Sequence, residues 1–141
     1  MNHYRVLANC SEEQVCQLAA MILEEQATSQ VTIINGPRQG LIMMRVRESV
    51  ADSLFNAGEV LVTEVTLELD GQLGFAMTLG NTPRRAMAAA VIDAALRIGG
   101  ERATLLGREI QRLEQEVLLE QSRLRTLVAS TKVHFELMDE E

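Results

Sequence analysis

The chain has 141 residues, with 20 acidic side chains against 13 basic ones, a net charge of −7 and only 3% aromatic residues. Its length is typical of one domain, and we interpret residues 1–141 as a single domain. The acidic balance disfavours nucleic-acid binding, which draws on a basic surface. No apolar stretch approaches the ~20 residues of a membrane span, and the first residues lack the apolar segment of a secretion signal. We therefore expect a soluble, cytoplasmic protein.

The first 25 residues predict two helices. Residues 2–9 form the first, and Ser11-Glu12-Glu13-Gln14 matches a capping box that begins the second, with Ser11 as N-cap. Apolar residues then recur at helical spacing. The two cysteines, Cys10 and Cys16, lack the spacing of a redox pair, so we interpret them as small apolar residues with free thiols.

From residue 30 to residue 80 the apolar period changes to two, which indicates β-strands. Glycine and proline divide the segment, and the pattern predicts an antiparallel sheet of about four strands. The predicted strands are residues 31–34, 41–48, 59–69 and 73–79; residues 35–40 are predicted as a turn and residues 49–58 as a polar loop.

The last two strands meet at Asp70-Gly71, and their register can be predicted. A two-residue turn would pair Glu68 with Leu73, an acidic side chain with an apolar one. A three-residue loop, with Gly71 as a left-handed bulge, pairs Leu67 with Leu73 instead. We predict the three-residue loop because it keeps the large apolar residues on one face.

Two further helices complete the predicted α+β fold. Thr82 is the expected N-cap and Pro83 the first residue of an alanine-rich helix that ends at Gly99-Gly100. A second helix, about residues 102–132, would be about 45 Å long and carries an apolar stripe longer than its own domain can cover. It would pack on a neighbouring helix, a second copy or another protein, and we expect it in an inter-subunit interface. Residues 133–138 alternate weakly and predict a short strand.

Catalytic and metal-binding motifs are missing, so no catalytic residue and no metal ligand is predicted. Arg84 and Arg85 lie in the first turn of the Thr82 helix, where free N–H groups and two guanidinium groups favour a phosphate or carboxylate. The alternative is two solvated arginines, with Arg85 reaching back to an acidic loop. Asp93 is expected to pair with Arg97 one turn on.

Two more arginines, Arg45 and Arg47, share one face of a predicted strand. They are candidates for anion binding or for an interface. They are equally placed to pair with Glu64 and Glu68 across the sheet. Almost every basic residue is arginine, which either genome composition or interface chemistry explains.

An ordered series of segments resembles the PhnG family, the G subunit of the bacterial carbon–phosphorus lyase core complex. The resemblance runs from about Arg5 to Met138. The segments that carry it are 40–47 (GLIMMRVR), 55–63 (FNAGEVLVT), 69–71 (LDG), 74–80 (GFAMTLG), 92–96 (IDAAL) and 133–138 (VHFELM).

The resemblance implies an accessory subunit without a catalytic residue or cofactor of its own. Such subunits work with the H, I and L proteins to form α-D-ribose 1-methylphosphonate 5-triphosphate from ATP, as its magnesium complex, and methylphosphonate, and the I subunit carries the nucleosidase chemistry. The implied binding partners are the I, H and J subunits. Two alternatives remain: a free-standing phosphonate- or nucleotide-binding protein that uses Arg84 and Arg85, and a homodimer built on the long helix.

Overall fold

The computed structural model describes residues 2–25 and 28–138, with side chains as far as Thr131. Two short helices precede a three-stranded antiparallel sheet, and two helices follow it, which confirms the predicted α+β class. The elements in chain order are α1 (His3–Asn9), α2 (Glu12–Glu25), β1 (Val31–Arg47), β2 (Leu54–Leu69), β3 (Gln72–Leu79), α3 (Pro83–Ile98) and α4 (Gly100–Met138).

The capping box at the start of α2 is confirmed. The backbone N–H of Gln14 donates to Oγ of Ser11 at 3.2 Å, and the N–H of Ser11 donates to Oε1 of Gln14 at 3.0 Å. These reciprocal bonds satisfy two of the amides that a helix start leaves free.

The sheet has the order β1-β2-β3, so the prediction of about four strands is wrong by one. Residues 35–40 do not form a separating turn; they lie within β1 and are accommodated by register shifts between Ile33 and Asn35 and between Asn35 and Arg38. Bulges absorb extra residues without ending a strand. The predicted loop at 49–58 is also shorter in the structure, because β2 begins at Leu54.

The predicted register of the second hairpin is wrong. Glu68 lies opposite Leu73 and Leu67 opposite Gly74, so Asp70-Gly71 forms a two-residue turn. Both turn residues have positive φ, 49° for Asp70 and 85° for Gly71. Those values suit the tight hairpin turn whose twist matches that of the strands.

This register points the small residues of β3 towards the core. Gly74, Ala76 and Thr78 are buried, whereas the large apolar residues between them are exposed. Helix α3 approaches so closely that a Cβ at Gly74 would overlap the carbonyl oxygen of Ala90 and lie 2.7 Å from Cβ of Ala94. Close contact of α3 with the sheet therefore decides which face of β3 is inner.

Helix α4 is longer than predicted and includes residues 133–138, so the predicted terminal strand is wrong. A strand needs a neighbour for its hydrogen bonds, whereas a helix satisfies its own. Leu106, Ile110 and Leu113 bury one face of α4 in the core. From Leu118 to Thr131 the helix is almost entirely exposed. No helix among the described residues is long and apolar enough to cross a membrane.

Candidate functional site

The start of α3 is the region where the sequence predicts an anion site. Thr82 precedes the helix and Pro83 is its first residue, as predicted, but the Thr82 side chain makes no capping bond to the helix. Its Oγ1 instead lies 2.7 Å from Oγ1 of Thr78 and donates to the carbonyl of Leu79 at 3.0 Å, while its N–H donates to Oγ1 of Thr63. Thr82 therefore connects the start of α3 to the middle of β2 and to the end of β3.

Arg85 has a structural role at the end of α1. Its guanidinium group donates to the carbonyl oxygens of Leu7, Ala8 and Cys10, at 3.4, 3.0 and 2.7 Å. These are carbonyls that the helix end leaves unpaired, and the positive charge is favourable beside the negative end of the helix. Arg85 thus does not contact an acidic loop, and its charge is already engaged within the chain.

Arg84 is different from its neighbour. Its side chain is exposed and, among the described residues, it has no hydrogen bond or ion pair. Of the two predicted anion-binding arginines, Arg84 is therefore the one available to an external group. The structure brings Thr82 and Arg85 to one cleft, and Arg84 is not among the residues that line it.

That cleft, which we call the α3 cleft, has a volume of about 340 Å³ and is open to solvent. Its lining is mainly apolar, and it carries a carboxylate as well as a guanidinium group. Apolar walls with a carboxylate suit protein side chains better than a polyphosphate, which a carboxylate repels. The lining residues are Ala8, Glu12, Ile42, Val62, Met77, Thr78, Leu79, Thr82 and Arg85.

Arg45 and Arg47 lie far from the predicted acidic partners. In the β1–β2 hairpin they are opposite Asn56 and Leu54, and Nη1 of Arg47 lies 3.0 Å from Oδ1 of Asp52. Glu64 instead pairs with Arg38, which is directly opposite it. The alternative of cross-sheet pairs with Glu64 and Glu68 is therefore wrong, because β1 and β2 form one long hairpin with its turn near residue 50.

The outer part of this hairpin, residues 40–61, projects as a ribbon that we call the β-arm. Strand β3 pairs with β2 only as far as Val62, so the β-arm has two strands. Ile42, Met44 and Val46 alternate along one side, opposite Val60, Gly58 and Phe55. Large apolar side chains are exposed on both sides of the β-arm: Leu41, Ile42, Met43, Met44, Val46, Val50, Leu54, Phe55 and Leu61.

A buried carboxylate lies at the centre of a polar cluster between α1, β3 and α3. Asp93 is 1% exposed. Its Oδ1 accepts from Tyr4 Oη at 2.7 Å and lies 3.0 Å from Nε2 of His3, while Oδ2 accepts from the Phe75 N–H at 3.0 Å and from Nε of Arg97 at 3.1 Å. The predicted Asp93–Arg97 pair is confirmed.

Hydrogen bonds to the Asp93 carboxylate lower its pKa by more than burial raises it. Burial alone would raise its pKa, but hydrogen bonds from Phe75, Tyr4, His3 and Arg97 together hold the pKa below the ordinary aspartate value. Both carboxylate oxygens are engaged by the protein, so the cluster links three elements of the fold. His3 and Tyr4 were missed by sequence reasoning, since 89 or more positions separate them from Asp93.

The remaining candidate groups offer little chemistry. Cys10 and Cys16 are both free thiols, and burial raises the pKa of the Cys10 thiol despite the nearby Arg85 guanidinium group. A thiol held protonated is a poor nucleophile. Among the described residues, no group of three or more metal-ligating side chains comes together.

Comparisons with known proteins agree with the resemblance in the sequence. A family model described as "Phosphonate metabolism protein PhnG" matches residues 1–139. The chain is also 31% identical over 111 residues to the alpha-D-ribose 1-methylphosphonate 5-triphosphate synthase subunit PhnG of Rhizobium meliloti (strain 1021), a match that covers 75% of this chain and 68% of the relative. On both grounds the chain belongs to the PhnG family of phosphonate-metabolism proteins.

Proposed function

We propose that this chain is an accessory, non-catalytic subunit of a synthase complex that forms α-D-ribose 1-methylphosphonate 5-triphosphate during phosphonate breakdown. The relative from Rhizobium meliloti is named as a subunit of the synthase for that compound. In this proposal ATP and its magnesium ion are substrates of the assembled complex, and this chain holds no cofactor of its own. The I, H and J subunits are its binding partners, and the L protein acts with the complex.

The observation that carries the proposal is the exposed β-arm. An isolated two-stranded hairpin is at best marginally stable in water, and contiguous apolar patches larger than a few hundred Å² mark interaction sites. The β-arm is a ribbon without a third strand, and large apolar side chains are exposed along both of its sides. A surface of this kind is completed by another protein.

The polar groups support an accessory role. Arg85 is engaged with the end of α1, and Asp93 is saturated by four donors within the chain. The α3 cleft adds one carboxylate to mostly apolar walls. These arrangements stabilise the fold, and the reaction groups would come from the partner subunits.

Co-expression with the I, H and J subunits tests the proposal. We expect the chain to co-purify with them, and we expect Met44→Glu or Phe55→Glu to reduce co-purification and product formation from ATP and methylphosphonate. Both side chains lie on the exposed β-arm, so the isolated variants should keep the circular dichroism spectrum of the parent chain. Met21→Glu, an equally exposed apolar-to-acidic change on α2, is the matched control and should assemble normally.

Two results would contradict the proposal. One is a chain that stays alone when all partners are soluble. The other is an isolated chain that binds ATP or methylphosphonate with an affinity that Arg84→Ala weakens, since that result favours a free-standing phosphate-binding protein.

A further inference from the structure

The apolar stripe of α4 continues past the point where the domain ends. Leu106, Ile110 and Leu113 follow steps of four and three and are buried in the core. The same steps lead to Val117, Glu120, Leu124, Leu127 and Thr131. Leu124 and Leu127 on this continuation are 53% and 58% exposed. The face that packs on the domain therefore extends for about 20 Å without a cover.

We propose that a second copy of this chain covers the stripe, with the two α4 helices antiparallel and a two-fold axis near residue 122. This axis places residue 117 opposite residue 127 of the second copy, and residue 120 opposite residue 124 of the second copy. The uncovered stripe positions from Val117 to Leu127 then meet one another across the axis. Stripe positions that pair with one another under a two-fold rotation suit a symmetric, self-complementary interface.

Charge fixes the antiparallel direction. Glu120 and Arg123 are exposed, and neither has an ion-pair partner among the described residues. With the axis near residue 122, Glu120 of each copy lies beside Arg123 of the other copy, which gives two symmetric ion pairs. A parallel arrangement would place Glu120 directly against Glu120 of the second copy, and like charges at such a position are unfavourable.

A groove beside α4 accepts the end of the second helix. It has a volume of about 320 Å³ and lies where α4 leaves the domain, between that helix and the α1–α2 junction. In the antiparallel arrangement, Leu127 of the second copy lies against Val117, which lines this groove. The other lining residues are Asn9, Cys10, Gln14, Leu113, Glu116, Glu120, Gln121 and Leu124.

The contact is short, so the dimer is weak. Four turns of helix from each copy form an interface below the ~1,200 Å² of stable complexes, which corresponds to the transient class. We expect a dimer that dissociates on dilution from about 100 µM to about 1 µM. The self-association is separate from the β-arm interface proposed above, and either proposal can fail without the other.

Sedimentation equilibrium of the full chain tests the dimer. Leu124→Glu should weaken dimerisation by about tenfold or more, because it removes an apolar side chain and places a carboxylate opposite Glu120 of the second copy. Leu119→Glu is the matched control: Leu119 is 72% exposed on the opposite face of the same helix, and its substitution should leave dimerisation unchanged. Neither side chain is in the core, so circular dichroism should show the same helix content for both.

Charge reversal tests the direction of packing. Glu120→Arg alone and Arg123→Glu alone should each weaken the dimer, because each places like charges together across the axis. An equimolar mixture of the two variants should form a heterodimer with two ion pairs, because one parent pair is retained and the other is restored with its charges exchanged. A chain that is monomeric at about 100 µM, or equal losses from Leu124→Glu and Leu119→Glu, would overturn the proposal. Unaltered dimers of both single charge variants would overturn the antiparallel arrangement.

Discussion

The backbone N–H of Phe75 donates a 3.0 Å hydrogen bond to Oδ2 of Asp93, which joins the edge strand β3 to helix α3. An edge strand leaves amides unpaired, and such amides invite pairing with another chain. Asp93 accepts the hydrogen bond from this amide. His3 and Tyr4 of α1 contact the same carboxylate. One aspartate therefore links three elements and protects the edge of the sheet at Phe75.

Replacing this carboxylate should be costly. Asp93→Asn keeps the shape but removes the charge and replaces one acceptor with a donor, and we expect it to lower the free energy of unfolding by about 3 kcal/mol. Urea denaturation followed by circular dichroism measures the change. Asp52→Asn is the matched control, because Asp52 is in an exposed pair with Arg47, and it should cost less than about 1 kcal/mol. Equal losses for the two variants would show that burial of Asp93 is unimportant.

The same carboxylate predicts a loss of stability in acid. Because the pKa of Asp93 is lowered in the folded chain, its contribution is complete above the unfolded value of about 3.9 and is lost as the pH falls through the folded value. The melting temperature of the parent chain should therefore fall more steeply below about pH 4 than that of Asp93→Asn. Parallel melting curves across this range would contradict the prediction.

The close contact of α3 with β3 predicts a second sensitive position. Gly74→Ala places a methyl group against the carbonyl of Ala90 and Cβ of Ala94, so we expect a loss of about 2 kcal/mol in the free energy of unfolding. Gly40→Ala is the control, because a Cβ there meets nothing within 4 Å and Gly40 lacks a positive φ. Chemical denaturation of the pair measures the difference, and a Gly74→Ala variant as stable as Gly40→Ala would refute the packing.

The two neighbouring arginines at the start of α3 should behave differently. Arg85→Ala removes three hydrogen bonds to carbonyls at the end of α1, and we expect a loss of about 2 kcal/mol in the free energy of unfolding. Arg84→Ala changes an exposed side chain and should stay within about 0.5 kcal/mol of the parent. Thermal denaturation of both variants checks this. Comparable losses would mean that Arg85 does not stabilise the end of α1.

The local signals in the sequence were sufficient where neighbouring residues decide the structure. Ser11 and Gln14 are three residues apart and cap α2 through bonds between themselves. Asp93 and Arg97 are one helical turn apart and pair as predicted. Pro83 begins α3 and Gly99 ends it. Each of these features depends on the separation of residues along one helix, which can be read directly from the sequence.

Prediction failed where distant elements compete for the same face. Strand β3 alternates large and small residues, and the predicted register placed Leu73 opposite Leu67 so that the large apolar residues shared one face. Because α3 contacts the sheet through Ala90 and Ala94, the space there holds only Gly74 and Ala76. The role of Arg85 was missed for the same reason, since its three acceptors lie at least 75 positions earlier in the chain.

The sequence by itself determined the start of α2, both ends of α3, the α+β class and the family, because capping, periodicity and ordered motifs are properties of consecutive residues. It also gave the unexpectedly long apolar stripe of α4. The tertiary structure decided which side of β3 is buried, which arginine remains available to an external group, and that residues 40–61 form an exposed ribbon. Those outcomes depend on how closely α3 approaches the sheet and on where β3 ends beside β2, and both are set by packing between residues far apart in the chain.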